Sequence, residues 1–491
     1  MTVGSSQDRA SLVLSPQSMN VADQRAIWAG ISPLALMDRA AAAVVRVIRG
    51  RYARRPVSIV CGPGQNGGDG WAIGWMLHRA GWVVTMHSMV PPARLTAAAA
   101  EAAARYADEP LPLSALGAGP GRLVVDALFG AGLSRDLTGA ALDAVRTMDA
   151  GASPVIAVDL PSGVDGLTGQ ARPVAARCDA TVTFHRPKPG HLLQPGASHL
   201  GDLYVADIGL TDEGAPDAYR ARRGLHPLPR PHAGSHKYAR GAVVVASGEH
   251  ASAGAARLAA NAAARAGAGA VTLASPPSAL DVNARACDAV MVRPMEDGAG
   301  LTALVRERGG AAVLGPGMGR TEQTRARVLA VLDAKAPCVL DADALTVFED
   351  DADTLFTGLH DACVLTPHEG EFARLFDAPD APPPGKLART QAAADRAGCT
   401  VLLKGADTVV ATPGRVPVLC DHGPPWLATA GSGDTLAGVI GALLAQGMQA
   451  HEAAAMGAWL HAEAGRLGGP GLVADALARL VGKAYASVLA R

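Results

Sequence analysis

The sequence carries almost no excess charge: Lys+Arg 44 against Asp+Glu 45 gives a formal net charge of −1. That balance excludes the basic footprint of a general nucleic-acid binder, and the 49% hydrophobic content excludes a disordered chain. Paired cysteines are also missing. Cys61, Cys178, Cys287, Cys338, Cys363, Cys399 and Cys420 are odd in number and contain no C-x-x-C pair, which argues against a disulfide framework and a zinc site. No apolar run reaches the roughly 18 residues of a membrane span; the nearest lies around residues 436–445. Residues 1–10 are polar, with Asp8 and Arg9 and no apolar core of a signal peptide. These absences predict a protein of the cytoplasm, with no nucleic-acid and no membrane partner.

Glycine and proline are plentiful, at 57 and 34 of 491 residues, too many turn formers for a helical bundle. At about 150 residues per domain the length predicts two to four domains. Short β-branched runs alternate with Ala-rich helical stretches, the pattern of parallel sheets covered by helices. The first half has strand candidates at residues 58–61, 83–86, 123–127, 155–159 and 181–184; the second has them at 242–246, 270–274, 311–314, 338–341, 363–366 and 400–404. Ahead of the first set, Ser32-Pro33 reads as a helix start, and Leu34, Met37, Ala41, Val44 and Ile48 share one apolar face. Residues 219–236 mix Arg220, Arg222, Arg223 and Arg230 with Pro227, Pro229 and Pro231, a stretch that is expected neither to pair as a central strand nor to continue a helix. The boundary is therefore placed near residue 225, giving domains 1–225 and 226–491. No repeat relates the halves, so two different α/β domains are expected.

Directly after the first strand comes G-P-G-Q-N-G-G-D-G, residues 62–70, followed by a helical run over residues 71–79. Strand, Gly-rich turn and helix can hold phosphate oxygens on free backbone N–H groups. The spacing matches neither the dinucleotide fingerprint nor the Walker loop, so a tight turn without ligand stays open. Asn66 and Asp69 add oxygen-bearing side chains that could meet a cation or a ribose. Two more strand ends offer D-A-L-F-G-A-G-L-S-R from Asp126 and D-L-P-S-G-V-D from Asp159. Strand ends are where open α/β sheets place their ligand crevice. Each Asp alone could equally cap a helix.

These three stretches, together with Thr183-Phe184 and Lys188-Pro189-Gly190, closely resemble the NAD(P)H-hydrate epimerase family over roughly residues 15–215. The resemblance implies a Rossmann-like α/β sandwich. It implies binding of the hydrated dinucleotide by Gln65, Asn66, Gly67, Gly68 and Asp69, and by Gly130, Ala131, Gly132, Leu133, Ser134, Arg135 and Asp136. Catalytic Asp159 is implied beside the reactive ring. A potassium ion on Asn66, Asp126 and Ser162 is implied too, and hard oxygen ligands suit it. Gln65 stands where members often have Asn.

In the second half, A-T-A-G-S-G-D-T from Ala428 opens a strongly apolar helix. Small residues let backbone approach an anion at a helix N-terminus, where negative charge is favoured. Asp434 is then placed to take a hydroxyl proton during phosphoryl transfer, or merely suits the helix dipole. Lys404-Gly405-Ala406-Asp407-Thr408 ends one predicted strand. Pro367-His368-Glu369-Gly370-Glu371 ends another, and Gly315-Pro316-Gly317-Met318-Gly319 a third. His368 is read as a site residue, and His461 as core or surface.

With His236-Lys237, Gly254-Ala255-Ala256 and Asp341-Ala342-Asp343-Ala344-Leu345, this half resembles the ADP-dependent NAD(P)H-hydrate dehydratases, a ribokinase-like branch, over roughly residues 230–490. Tyr238 and Ser432 stand where the family usually has Gly and Thr. The resemblance implies Ala255, Gly317, His368 and Asp434 against the hydrated substrate, and Lys404, Gly405, Ala406, Asp407, Thr408 and Gly433 against the adenine nucleotide. Magnesium is expected with ADP, and Glu369, Glu371 and Asp341 are candidates to orient it. The expected protein is a bifunctional, homo-oligomeric enzyme acting on hydrated NADH or NADPH. The competing expectation is a ribokinase-like vitamin kinase fused to a non-catalytic ligand-binding domain.

Overall fold

The computed structural model describes residues 11–210, 214–308, 310–376 and 385–490. The polar segment 1–10 lies outside the described residues. The chain divides into two compact units between Ala218 and Tyr219. The division lies upstream of the Arg- and Pro-rich stretch, because the start of that stretch is itself a strand. Ala218–Arg220 pairs in parallel with Val418–Cys420, Tyr219 opposite Val418. Arg220 also forks onto Asp421 at 2.9 and 2.8 Å. The expectation was of no central strand here, and this short strand lies near the edge of its sheet; the prolines begin only at Pro227, after the ladder ends.

In the first unit seven strands form one parallel sheet in the order Leu111–Pro112, Val84–Ser88, Val57–Cys61, Leu123–Ala127, Val155–Val158, Ala180–Phe184, Asp202–Ala206. The central ones are buried along their whole length, as a sheet covered on both faces requires. Helix Pro33–Arg51 starts where the sequence places it: the Ser32 hydroxyl accepts the Ala35 N–H at 3.2 Å. Helix Gln65–Arg79 starts six residues before the expected 71, at Gln65. Its glycines are there for contact. A Cβ on Gly70 would stand 2.7 Å from Ala127 Cβ, and one on Gly74 would stand 2.5 Å from Met86 Sδ. The helix thus lies flat on the sheet and aims its first turn at the strand ends.

In the second unit the strand order runs Ala218–Arg220, Val418–Cys420, Thr408–Ala411, Thr400–Leu403, Cys363–Leu365, Cys338–Leu340, Ala311–Leu314, Ala242–Ala246, Ala270–Ser275, Met291–Pro294. All neighbours are parallel except Thr408–Ala411, which is antiparallel to both of its own. Helix Ser432–Ala445 is apolar all round because it packs between the sheet and helix Ala253–Arg265. A Cβ on Gly438 would fall 2.0 Å from Ala259 O, so the two helices nearly touch backbone to backbone. Among the described residues no helix is long and apolar enough to cross a membrane, and all seven cysteines are free.

Candidate active sites

In the first unit a cavity of about 590 Å³ opens over the strand ends, lined by Asp23, Gln65, Asn66, Asp69, Gly130, Ala131, Gly132, Leu133, Ser134, Arg135, Asp159 and Lys188 among others. Asp159 follows strand Val155–Val158 at a φ of +65°, an uncommon conformation for a residue with a side chain. That turn aims its carboxylate at three partners. Oδ2 accepts the Ala131 N–H at 3.0 Å; Oδ1 accepts from Thr183 Oγ1 at 2.9 Å and from Lys188 Nζ at 2.6 Å. His191 meets the Asp159 carbonyl at 2.7 Å through Nε2, while its Nδ1 accepts the Lys188 N–H at 2.9 Å. His191 therefore carries its proton on Nε2, and burial together with Lys188 pushes its pKa down to about 4.

Burial would raise the Asp159 carboxyl, but the attraction of Lys188 and the hydrogen bonds outweigh it and bring the pKa down to about 2. Its neighbours go the other way. Burial, followed by the negative charge of Asp159, raises Asp69 well above the usual carboxylate range. Asp23 rises to about 6, chiefly by burial, with Asp159 adding to it and Lys188 opposing. One cavity thus holds one carboxyl pushed below its ordinary value and two pushed above theirs.

Asn66, in the first turn of its helix, has its amide oriented so that the nitrogen donates to Val158 O at 3.1 Å and the oxygen accepts the Gly130 N–H at 3.2 Å. A Cβ on Gly130 would stand 2.9 Å from Asp159 Oδ2 and 3.2 Å from the Asn66 amide, so a larger residue there would push on both side chains. Beside this, Asp126 is fully buried at a strand end. Its Oδ1 accepts from Ser162 Oγ at 2.6 Å, and its Oδ2 accepts the Ser162 N–H at 2.7 Å. Burial raises the Asp126 carboxyl, and among the described residues no basic group offsets its charge.

In the second unit Asp434 lies in the first turn of helix Ser432–Ala445, behind Gly431 at φ +86°. Around it runs a chain of charges. Lys404 Nζ is 2.7 Å from Asp341 Oδ1 and 3.6 Å from Glu371 Oε2. Glu371 also accepts the His368 N–H at 2.8 Å and lies 3.4 Å from His368 Nε2. A Cβ on Gly433 would stand 3.4 Å from Lys404 Nζ. Burial, and next the charge of Asp341, raises Asp434 to about 6, with Lys404 opposing. Gly317, at φ +66°, packs on Ser252 and Ala255, and the Gly319 N–H donates to Asp343 Oδ2 at 2.8 Å. Ser432 Oγ lies 3.0 Å from His461 Nε2.

Two family models match the chain: that of the YjeF-related protein N-terminus over residues 33–190, and that of NAD(P)H-hydrate dehydratase over residues 243–470. The chain is 35% identical to the bifunctional NAD(P)H-hydrate repair enzyme of Moorella thermoacetica, covering 89% of this chain and 88% of that one. The chain belongs to the bifunctional NAD(P)H-hydrate repair enzymes. It is likewise 36% identical to the Mycobacterium tuberculosis member, over 86% of each. Among solved structures, the ADP/ATP-dependent NAD(P)H-hydrate dehydratase of Bacillus subtilis, co-crystallised with ATP and magnesium, is 25% identical. It covers 53% of this chain and 94% of its own, with a TM-score of 0.43. For this family member the architecture is the expected α/β one in both units, each built on its own largely parallel sheet.

Gln65, Asn66, Asp69, residues 130–135 and Asp159 line one cavity. Gly67 and Gly68 are buried instead, with virtual Cβ atoms 1.9 Å from Gly62 O and 2.4 Å from Met37 Cε, and Asp136 does not line the cavity. His368, Lys404, Gly433 and Asp434 form one cluster in the second unit. Asp407 is held by Lys386 at 2.7 Å, and Thr408 Oγ1 donates to Gly405 O at 2.9 Å, so these two shape the turn that carries Lys404. Sequence reasoning gave no role to Asp23, Lys188, His191 or Glu371 as a Lys404 partner. It left His461 as core or surface, whereas His461 buttresses the Gly-rich turn through Ser432.

Proposed function

We propose that residues 1–225 interconvert the R and S hydrates of NADH and NADPH at C6 of the reduced nicotinamide ring, and that residues 226–491 dehydrate the S form. The second reaction consumes ADP and releases AMP and phosphate, so that a damaged cofactor returns to use in the cytoplasm. The observation that carries the first assignment is Asp159, kept ionised by Lys188 at the wall of a cavity large enough for a nicotinamide nucleoside. There it stabilises the cationic ring that forms when the C6 hydroxyl departs. Gln65, Asn66, Asp69 and residues 130–135 bind the dinucleotide, with Arg135 suited to a phosphate.

Hydroxide leaves C6 poorly, so the dehydratase first turns it into a better leaving group. Asp434 takes the hydroxyl proton, the hydroxyl oxygen attacks the β-phosphorus of ADP, and AMP departs. Phosphate then leaves C6 as the N1 electron pair forms C6=N1, and loss of a C5 proton gives the reduced ring. The turn 431–433 and the helix N-terminus stabilise charge on the transferred group. Ala255, Gly317 and His368 face the hydrate. Residues 404–408 and Gly433 face the nucleotide.

Asn66, Asp126 and Ser162 suit a potassium ion by the chemistry of their oxygen donors, and among the described residues Asp126 is a buried carboxylate bonded to the Ser162 hydroxyl with no basic partner. The ion supplies the missing positive charge when bound. Magnesium takes one or two carboxylates plus nucleotide phosphates, and Asp341, Glu369 and Glu371 are its candidate holders, the first and last meeting Lys404 and Glu369 meeting Arg389 and Lys386. A vitamin kinase fused to an inert scaffold has no use for the Asp159–Lys188 pair.

Asp159→Ala tests the assignment: R-hydrate consumption should collapse while S-hydrate consumption with ADP continues. Equal R-hydrate consumption would overturn it.

A further inference from the structure

We infer that Asp23 is a second catalytic carboxyl of the epimerase cavity, the acid that gives a proton to the departing C6 hydroxyl while Asp159 balances the charge left on the ring. The inference rests on the epimerase reading above. Asp23 sits on helix Pro16–Trp28, whose Met19, Ala22 and Ala26 are buried while Asp23 lines the cavity. The helix is fixed at its start. Ser15 caps it by accepting the Ser18 N–H at 3.1 Å, and the Leu14 N–H donates to Pro187 O at 3.1 Å, next to Lys188. Asp23 is therefore presented to the cavity from an element tied to the residue that ionises Asp159.

Among the described residues no hydrogen bond or ion pair engages the Asp23 carboxyl. The charged groups that face it are Lys188, Asp159 and Asp69. A carboxyl at about 6 can give up and retake a proton near neutrality, whereas burial raises Asp69 well above its ordinary value. Two carboxyls whose surroundings push them apart divide acid from charge-stabilising work.

The step balances without another reactant. The Asp23 proton passes to the C6 hydroxyl, the C6–O bond breaks with its electron pair on oxygen, and water departs. The N1 lone pair forms C6=N1, and the cationic ring is held by Asp159. Water then adds to the opposite face of C6, the C6=N1 pair returns to N1, and the surplus proton returns to Asp23.

The test follows R-hydrate conversion by the full chain with ADP and magnesium, corrected for conversion without enzyme, in the parent, Asp23→Asn and Asp23→Glu. Asp23→Asn should lower kcat for the R form on the order of 10²–10⁴-fold, with KM within a few-fold and S-hydrate turnover unchanged. The parent's kcat should fall as pH rises through about 6, where Asp23 loses its proton. That limb should vanish in Asp23→Asn and return, displaced, in Asp23→Glu with part of the rate. An Asp23→Asn variant with the parent's kcat and alkaline limb overturns the inference and leaves the epimerase reading standing. A parent chain inert toward the R form overturns the epimerase reading, and this inference with it.

Discussion

Lys188→Met removes the ammonium that lies 2.6 Å from Asp159 Oδ1 while keeping most of the side-chain volume. With Lys188 in place, the Asp159 carboxyl falls from the ordinary 3.8 to about 2. A group bound less tightly to its proton in the folded state stabilises that state above the unfolded pKa, and this contribution disappears as pH falls through the folded one. The drop corresponds to about 2 kcal/mol, present above pH ~4 and lost toward pH ~2. In Lys188→Met, burial acts on Asp159 without that attraction, so the carboxyl rises above its ordinary value and its ionisation opposes folding. The variant should lose about 3–5 kcal/mol at pH 7, the usual result of stranding one member of a buried pair. The pH dependence inverts: this variant becomes less stable as pH rises from 5 to 8. Urea unfolding followed by hydrogen exchange in peptides of the first unit reads this directly, and Lys188→Met with Asp159→Asn should recover much of the loss. Epimerisation falls in both variants, with S-hydrate dehydration as the internal control. A Lys188→Met protein within about 1 kcal/mol of the parent and still destabilised only by acid would refute the account of Asp159.

Asp434→Asn should bind nucleotide yet dehydrate the S form on the order of 10²–10⁴ times more slowly, and the parent's rate should rise with pH through about 6 as Asp434 ionises. Because the folded chain holds the Asp434 proton more tightly than the unfolded one, ionisation above that pH opposes folding. Asp434→Asn should therefore be more stable than the parent at pH 8, on the order of 1–3 kcal/mol by urea titration. Gly130→Ala places a methyl 2.9 Å from Asp159 Oδ2 and should abolish epimerisation while dehydration continues, as separate R and S assays will show. Replacing potassium by a bulky organic cation should slow epimerisation and lower the melting temperature of the parent, and Asp126→Asn should remove that difference.

The parallel strands were legible because short β-branched runs at Leu123–Ala127, Ala242–Ala246 and Ala311–Leu314 are buried along their whole length. The strands without that signal lie partly open to solvent, as in Asp202–Ala206 and Met291–Pro294, or end in proline, as in Leu111–Pro112. The start of helix Gln65–Arg79 was hidden by Gly67, Gly68 and Gly70. Glycines lower helix propensity, and here they are demanded by the close approach of Gly62, Met37 and Ala127. Motif spacing brought Asn66, Gly130 and Asp159 forward because they end consecutive strands or open the helix. Asp23 gave no such signal, and Lys188 stood in a recognised motif without a role: what assigns them is burial and the charge each meets across the cavity, which the local sequence does not state.

The central claim, two complementary activities on one chain, is tested most directly by supplying the parent protein with the pure R hydrate of NADH, ADP and magnesium. Nicotinamide absorbance is then followed over a time in which the enzyme-free sample is unchanged. The account predicts full recovery of NADH with one AMP and one phosphate per molecule restored, and in Asp159→Ala recovery only when the S hydrate is supplied. Absorbance that stays flat with both hydrates, or ADP consumed without NADH formed, would contradict it.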